Sequence, residues 1–141
     1  MNLRLINGAF RKAFSVFTKH RKTISWFSEK RIKHQPYGVE HSFSYNNFPI
    51  YYISPGEFLH AGDEIFEKEI YKIKFATNNP LVIDCGANIG LSVLYFKHIA
   101  PHAKIISVEP DTVNYNLLEK TQNTYPMWKI LKLQFGFTIT L

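Results

Sequence analysis

The sequence contains a single cysteine, Cys85, so no intramolecular disulfide can form. No group of Cys and His residues has the spacing of a zinc site, and we predict no metal centre. The chain also lacks an apolar run near the roughly 20 residues of a membrane-spanning helix, and its N-terminus lacks the apolar core of a secretory signal. We therefore expect a protein of the reducing cytoplasm that does not span a membrane.

Acidic residues are scarce at the N-terminus: residues 1–34 hold nine Lys or Arg against the single Glu29, a net charge of +8. The other 107 residues carry eight basic and ten acidic residues, a net charge of −2. Apolar residues at spacings of three and four predict an amphipathic helix over residues 2–18. Its apolar face either packs on the rest of the protein or makes peripheral contact with an anionic membrane or a partner. No nucleic-acid motif accompanies the charge, so we expect no nucleic-acid partner.

The composition, with 45% hydrophobic and 16% aromatic residues, predicts one globular domain with a real core. A second short helix is predicted around Trp26 and Phe27. Alternating apolar and polar residues over 41–54, with an Asn-Asn turn, predict a hairpin that ends at Pro55. A helix is predicted from Asp63 as N-cap, with apolar residues at helical spacing as far as Ile73.

After residue 80 the pattern becomes strand, helix, strand, helix, strand. We predict a short buried strand at residues 81–83, a helix at 90–100, a strand at 105–108, a helix at 112–120 and a strand at 128–135. This order is typical of an α/β fold with three parallel strands and helices packed on them. We accordingly divide the chain into a basic helical arm (1–40), a hairpin and helix (41–79), and an incomplete Rossmann-like domain (80–141).

The loop after the first of these strands, residues 84–90, reads Asp-Cys-Gly-Ala-Asn-Ile-Gly. It lies where open α/β sheets bind ligands, at the carboxyl ends of the strands. Gly86 and Gly90 allow sharp turns and a close approach of a ligand to the backbone, and Asp84 can accept a hydrogen bond from an amine. Asp84 and Asn88 could instead simply cap backbone groups. Cys85 is interpreted as a small packing residue.

Glu109 ends the second strand, 19 residues after Gly90. A carboxylate at this position typically accepts hydrogen bonds from the ribose hydroxyls of a nucleoside. The loop lacks the middle glycine of the dinucleotide fingerprint, where Asn88 stands instead, so a ligand with a ribose and no pyrophosphate fits better. S-adenosyl-L-methionine (SAM) is such a ligand. Asp111 is predicted to be the N-cap of the following helix.

The two motifs together, residues 82–90 and the Val-Glu-Pro-Asp of residues 108–111, resemble the FkbM family of SAM-dependent methyltransferases, which carry a D-x-G-A-N-x-G loop and an E-P strand end. The resemblance covers about residues 48–121. It implies O-methylation of a sugar or other small metabolite. It also implies that Glu109 holds the ribose and that the loop lines the methionine and ribose part of the cofactor, with these residues: Asp84, Gly86, Ala87, Asn88 and Gly90.

The segment after residue 120 departs from the family pattern, and no catalytic base can be named. We expect the chain to be a truncated piece of a longer enzyme, its cofactor-binding half, and downstream DNA in all three frames would test this. Two alternatives remain open: a catalytically inactive fragment, or a membrane- or partner-binding module led by residues 1–34. A partial sheet also predicts self-association through its uncovered parts.

Overall fold

The computed structural model describes residues 24–45, 48–124 and 129–132. The first elements are α1 (Trp26–Lys33), β1 (His41–Tyr45), β2 (Phe48–Tyr52) and α2 (Pro55–Gly62), which continues as a π-helical turn at Asp63–Glu67. The later elements are β3 (Leu81–Cys85), α3 (Leu91–Ile99), β4 (Lys104–Glu109), α4 (Thr112–Thr124) and β5 (Lys129–Lys132). The helix predicted at 2–18, the Asn-Asn turn at 46–47 and half of the last predicted strand lie outside the described residues.

The short helix and the hairpin that precede the parallel sheet are confirmed. Ser25 caps α1, because its Oγ accepts a hydrogen bond from the amide of Ser28 at 3.3 Å. Strands β1 and β2 pair antiparallel, with Phe43 opposite Ile50. The alternation of apolar and polar residues in β1 leaves one side of the hairpin for the core.

The prediction of a helix that begins at Asp63 is wrong about its first residue. The helical segment begins at Pro55, and Asp63 is the residue at which α2 passes into the π-helical turn. Proline favours the first position of a helix as much as it breaks a strand, since its missing N–H has no partner there anyway. Ile70 and Ile73, placed on that helix by their spacing, lie beyond it and are exposed.

The parallel sheet has the order β3-β4-β5, which confirms the predicted α/β architecture. In this register Cys85 lies beside Val108, and Glu109 lies beside Lys132. Consecutive parallel strands need a crossover, and α3 and α4 supply the two crossovers. The carboxyl ends of β3 and β4 therefore meet at one edge, where the loop at residues 84–90 begins.

The hairpin and α2 share a hydrophobic core with the helices of the sheet. Tyr52 stacks on Phe58 with ring centroids 4.1 Å apart, and its hydroxyl donates a hydrogen bond to Gln35 at 2.8 Å. This aromatic pair belongs to the same buried cluster as Tyr95 and Leu117 of α3 and α4. The hairpin, α2 and the π-helical turn, here called the N-terminal wall, thus face the carboxyl edge of the sheet.

The first strand of the sheet is longer and less covered than predicted. Leu81 and Ile83 are 62% and 63% exposed, because no described element packs on the face of β3 that they occupy. Cys85 on the same face is also exposed, so its interpretation as a packing residue is wrong. Self-association through this face stays a prediction. Within the described part of the chain, no helix combines the length and apolarity that crossing a bilayer requires.

Candidate cofactor site

The loop between β3 and α3 is built from left-handed backbone. Gly86, Asn88 and Gly90 have φ angles of +83°, +51° and +96°. Glycine adopts such angles without steric cost, and asparagine tolerates them better than most residues. A Cβ atom built on Gly86 would have no heavy atom within 4 Å, so the backbone there borders open space. The loop can therefore receive a ligand directly against its main chain.

The loop is fixed to the end of β4 by its own amides. The N–H groups of Gly86 and Ala87 both donate to the carbonyl of Val108, at 2.8 and 3.1 Å. The amide of Gly90 donates to the carbonyl of Ala87 at 2.9 Å and closes the turn before α3. Because the loop is tied to a central strand, its geometry is set before any ligand arrives.

The carboxylate of Glu109 accepts hydrogen bonds from two segments that border the site. One oxygen accepts a hydrogen bond from the amide of Asn88 at 2.6 Å, and the other accepts one from the amide of Asp111 at 2.8 Å. The side chain is only 4% exposed. Each carboxylate oxygen retains a second lone pair. Glu109 therefore joins the glycine loop to the segment that starts α4, and the ribose role remains a prediction.

The carboxylate of Asp84 is partly buried behind the loop. Its Oδ2 accepts a hydrogen bond from the hydroxyl of Ser92, in the first turn of α3, at 2.6 Å. Burial raises the pKa of Asp84 above its ordinary value of 3.8, the hydrogen bond from Ser92 opposes this, and the charge of Glu109 raises it further. The charged form of Asp84 thus depends on Ser92 for its stabilisation.

A cleft of about 210 Å³ lies between the loop and the N-terminal wall. Gly86, Asn88 and Ser92 line one side, and residues of α2 and the π-helical turn, including Glu57 and Glu64, line the other. Among the described residues that line it, none is Lys, Arg or His. The cleft therefore favours a cationic ligand over a phosphate-bearing one.

Gly86, Ala87 and Asn88 line the cleft, whereas Gly90 lies outside the lining at the start of α3, and Asp84 and Glu109 lie behind the loop rather than on the surface of the cleft. Asp111 is confirmed as the N-cap of α4, since its Oδ1 accepts from the amide of Asn114 at 2.8 Å. Ser92 and the opposite acidic wall were missed. Ser92 could have been found as a hydroxyl in the first helical turn after the loop.

Two curated proteins are similar to this chain. Methyltransferase sdnD of Sordaria araneosa is 43% identical over 70 residues, which are 50% of this chain and 27% of that protein. Methyltransferase 1 of Beauveria bassiana (strain ARSEF 2860) is 28% identical over 80 residues, which are 57% of this chain and 31% of that protein. The aligned segments thus cover less than a third of each relative.

The comparisons with family models and with solved structures do not extend this similarity to methyltransferases. No family model matches the chain. A solved structure from Pyrococcus horikoshii, whose transferase assignment is provisional, covers 67% of this chain and 36% of its own, with a TM-score of 0.49 and 17% sequence identity. This chain is therefore similar to methyltransferases, and the similarity covers only a part of each of them.

Proposed function

We propose that this chain forms the cofactor-binding half of a SAM-dependent methyltransferase of FkbM type. The observation that carries the proposal is the 2.6 Å hydrogen bond from the amide of Asn88 to Glu109. It joins the glycine loop after one strand to the acidic end of the next, the two features that define a nucleoside site in open α/β sheets. The similarity to two curated methyltransferases supports the same reading.

The residues of the cleft fit SAM better than a nucleotide. SAM carries a sulfonium and an ammonium group against one carboxylate, so its net charge is positive. Glu57 and Glu64 give the described lining of the cleft a negative charge. The backbone at Gly86 borders open space, so a ligand can approach it closely. The loop has Asn88 in place of the second glycine that a pyrophosphate needs, which favours SAM over a dinucleotide.

The proposed reaction is O-methylation of a sugar or small metabolite. SAM supplies a methyl group bound to a positive sulfur. With SAM bound, an acceptor oxygen would form a bond to that carbon as the carbon–sulfur bond breaks, the electron pair of the broken bond would stay on sulfur, and the proton of the acceptor hydroxyl would pass to solvent water. The contribution of this chain is to bind and orient the donor against the acceptor, and such alignment is a large part of catalysis in bimolecular transfers.

A panel of ligands tests the proposed cofactor. We expect SAM at about one hundred times its dissociation constant to stabilise the chain by about 2.7 kcal/mol, and thus to raise its melting temperature by several degrees. NAD⁺ and ATP at the same concentration should leave it unchanged, because their phosphates meet Glu57 and Glu64 and no cation in the described lining. A larger shift with NAD⁺ or ATP than with SAM would contradict the proposal.

The affinity for SAM should depend on pH through Asp84. We propose that its ionised carboxylate attracts the ammonium group, so affinity falls as the pH decreases through the pKa of Asp84, which burial raises above 3.8. Ser92→Ala removes the hydrogen bond that lowers this pKa, and the pH of half-maximal affinity should therefore move upward. Asp84→Asn removes this negative charge from behind the loop and should weaken binding at neutral pH by about tenfold, as expected for the loss of a charge–charge attraction of about 1.4 kcal/mol.

Titrations with SAM over a range of pH measure this dependence. Ser54→Ala is the matched control, because Ser54 lines the same cleft from the side of α2 and the same hydroxyl is removed. Its midpoint should equal that of the wild type. An unchanged midpoint in Ser92→Ala, or an unchanged pH dependence in Asp84→Asn, would remove Asp84 from the site.

A further inference from the structure

The helix α1 has one buried and one exposed side. Ile32 is 1% exposed and belongs to the main hydrophobic cluster. At 100° per residue, Trp26, Phe27 and Lys30 point roughly 120° or more away from Ile32 around the helix, and Arg31 points about 100° away, next to Phe27. All four are exposed, and Trp26 and Phe27 are 59% and 78% exposed. We call these four residues the aromatic-basic face.

The side chains of the aromatic-basic face form one continuous patch. The rings of Trp26 and Phe27 pack edge to face with centroids 4.9 Å apart, and the Lys30 ammonium lies 5.0 Å from the centre of the Trp26 ring. The single acidic residue of the helix, Glu29, pairs with Lys33 at 2.8 Å and lies to the side of the patch. Two large aromatic rings thus stand exposed beside two cations, Lys30 and Arg31, for which no ion pair occurs among the described residues.

We propose that the aromatic-basic face docks on an anionic membrane surface. Tryptophan and other amphipathic rings favour the headgroup region of a bilayer, and Lys and Arg beside them bind acidic headgroups. The charge of +8 over residues 1–34 is complementary to such a surface and is absent from the rest of the chain. The buried Ile32 anchors α1 to the core, so the face is presented by the folded protein.

Lipid is favoured over other anionic partners by the aromatic pair. Binding to a double-stranded polyanion, whose bases are already stacked on one another, would use Lys30 and Arg31 but would gain little from Phe27, which is 78% exposed. Insertion into a headgroup layer uses both rings and both cations. This proposal is independent of the proposed methyltransferase function, because none of the four residues lines the cleft.

Co-sedimentation of the full chain with vesicles tests the proposal. We expect binding to phosphatidylcholine vesicles that contain phosphatidylserine to exceed binding to pure phosphatidylcholine by about tenfold or more, and to weaken with salt. Trp26→Ala/Phe27→Ala should lower this binding about tenfold. Lys30→Gln/Arg31→Gln should lower it by about 10- to 30-fold, at about 1 kcal/mol per cation. In a Trp128→Phe background, Trp26 emission should shift to the blue on anionic vesicles.

The matched controls remove similar groups elsewhere. Ile73→Ala/Leu81→Ala deletes two other exposed apolar side chains, and Lys74→Gln/Lys104→Gln deletes two other exposed cations. Both should bind vesicles as the wild type does, and circular dichroism should be unchanged in every variant. The proposal is overturned if the wild type fails to sediment, or if the aromatic variant sediments as well as the wild type. Binding to RNA but not to vesicles would also overturn it and assign the face to a polyanion.

Discussion

Gly90→Ala is expected to destabilise the protein by about 2–5 kcal/mol, the sum of a left-handed backbone penalty and overpacking. The φ angle of Gly90 is +96°, and a Cβ atom there would stand 2.6 Å from Cδ1 of Leu118. Leu118 is completely buried, so it has little room to move aside. Urea denaturation, monitored by circular dichroism, measures the change in the free energy of unfolding.

Gly56→Ala is the matched control for this substitution. Gly56 lies in α2, where the added Cβ would meet no atom within 4 Å and the backbone angle is ordinary. Its free energy of unfolding should stay within about 1 kcal/mol of the wild type. Leu118→Val removes the methyl group that would clash with the new Cβ. We expect this substitution to lower the free energy of unfolding less in the Gly90→Ala background than in the wild type. A stability of Gly90→Ala within 1 kcal/mol of the wild type would contradict the close packing of loop and α4.

Glu109→Gln is expected to lower the stability by about 1.5–3 kcal/mol and to weaken SAM binding at least tenfold. Glutamine has one acceptor oxygen, whereas Glu109 uses both oxygens for the amides of Asn88 and Asp111. The amide nitrogen of glutamine would face one of these N–H groups, and a partly buried donor would lose its partner. Either the hydrogen bond from Asn88 of the loop or the hydrogen bond from Asp111 at the start of α4 would then be lost.

The same substitution at Glu119 provides the comparison. Glu119 is exposed on α4, where its carboxylate accepts a hydrogen bond from the Tyr115 hydroxyl at 3.2 Å. Glu119→Gln should change stability by no more than about 0.5 kcal/mol and leave SAM binding unchanged. If Glu109→Gln behaved like Glu119→Gln in both measurements, the role assigned to the strand-end carboxylate would be wrong.

The part of the fold that follows residue 80 was predictable because its signals are local. Helices and strands alternate with clear turns between them, and Gly86 and Gly90 mark the loop between β3 and α3. The parallel order then places Glu109 beside the loop without further information. The start of α2 was not predictable, since Pro55 reads equally well as the end of a strand and the beginning of a helix.

Contacts between distant parts of the chain could not be predicted. The sequence does not say which neighbour covers a strand, so Leu81 and Ile83 read as buried and are exposed. It does not orient Ser92 toward Asp84, because the direction of a side chain in the first helical turn depends on how α3 packs. For the same reason the acidic wall formed by Glu57 and Glu64 emerges only from the packing of the π-helical turn on α3 and of β2 on α4.

Amide chemical shifts during a titration with SAM test the central claim most directly, because they report both binding and its place. We predict that SAM shifts the resonances of Gly86, Ala87, Asn88 and Asp111, which border the loop or are held by Glu109. Those of α1, such as Phe27, should stay unchanged. A well-dispersed spectrum that does not change at millimolar SAM, or that changes only away from the loop, would contradict the assignment of the cofactor site.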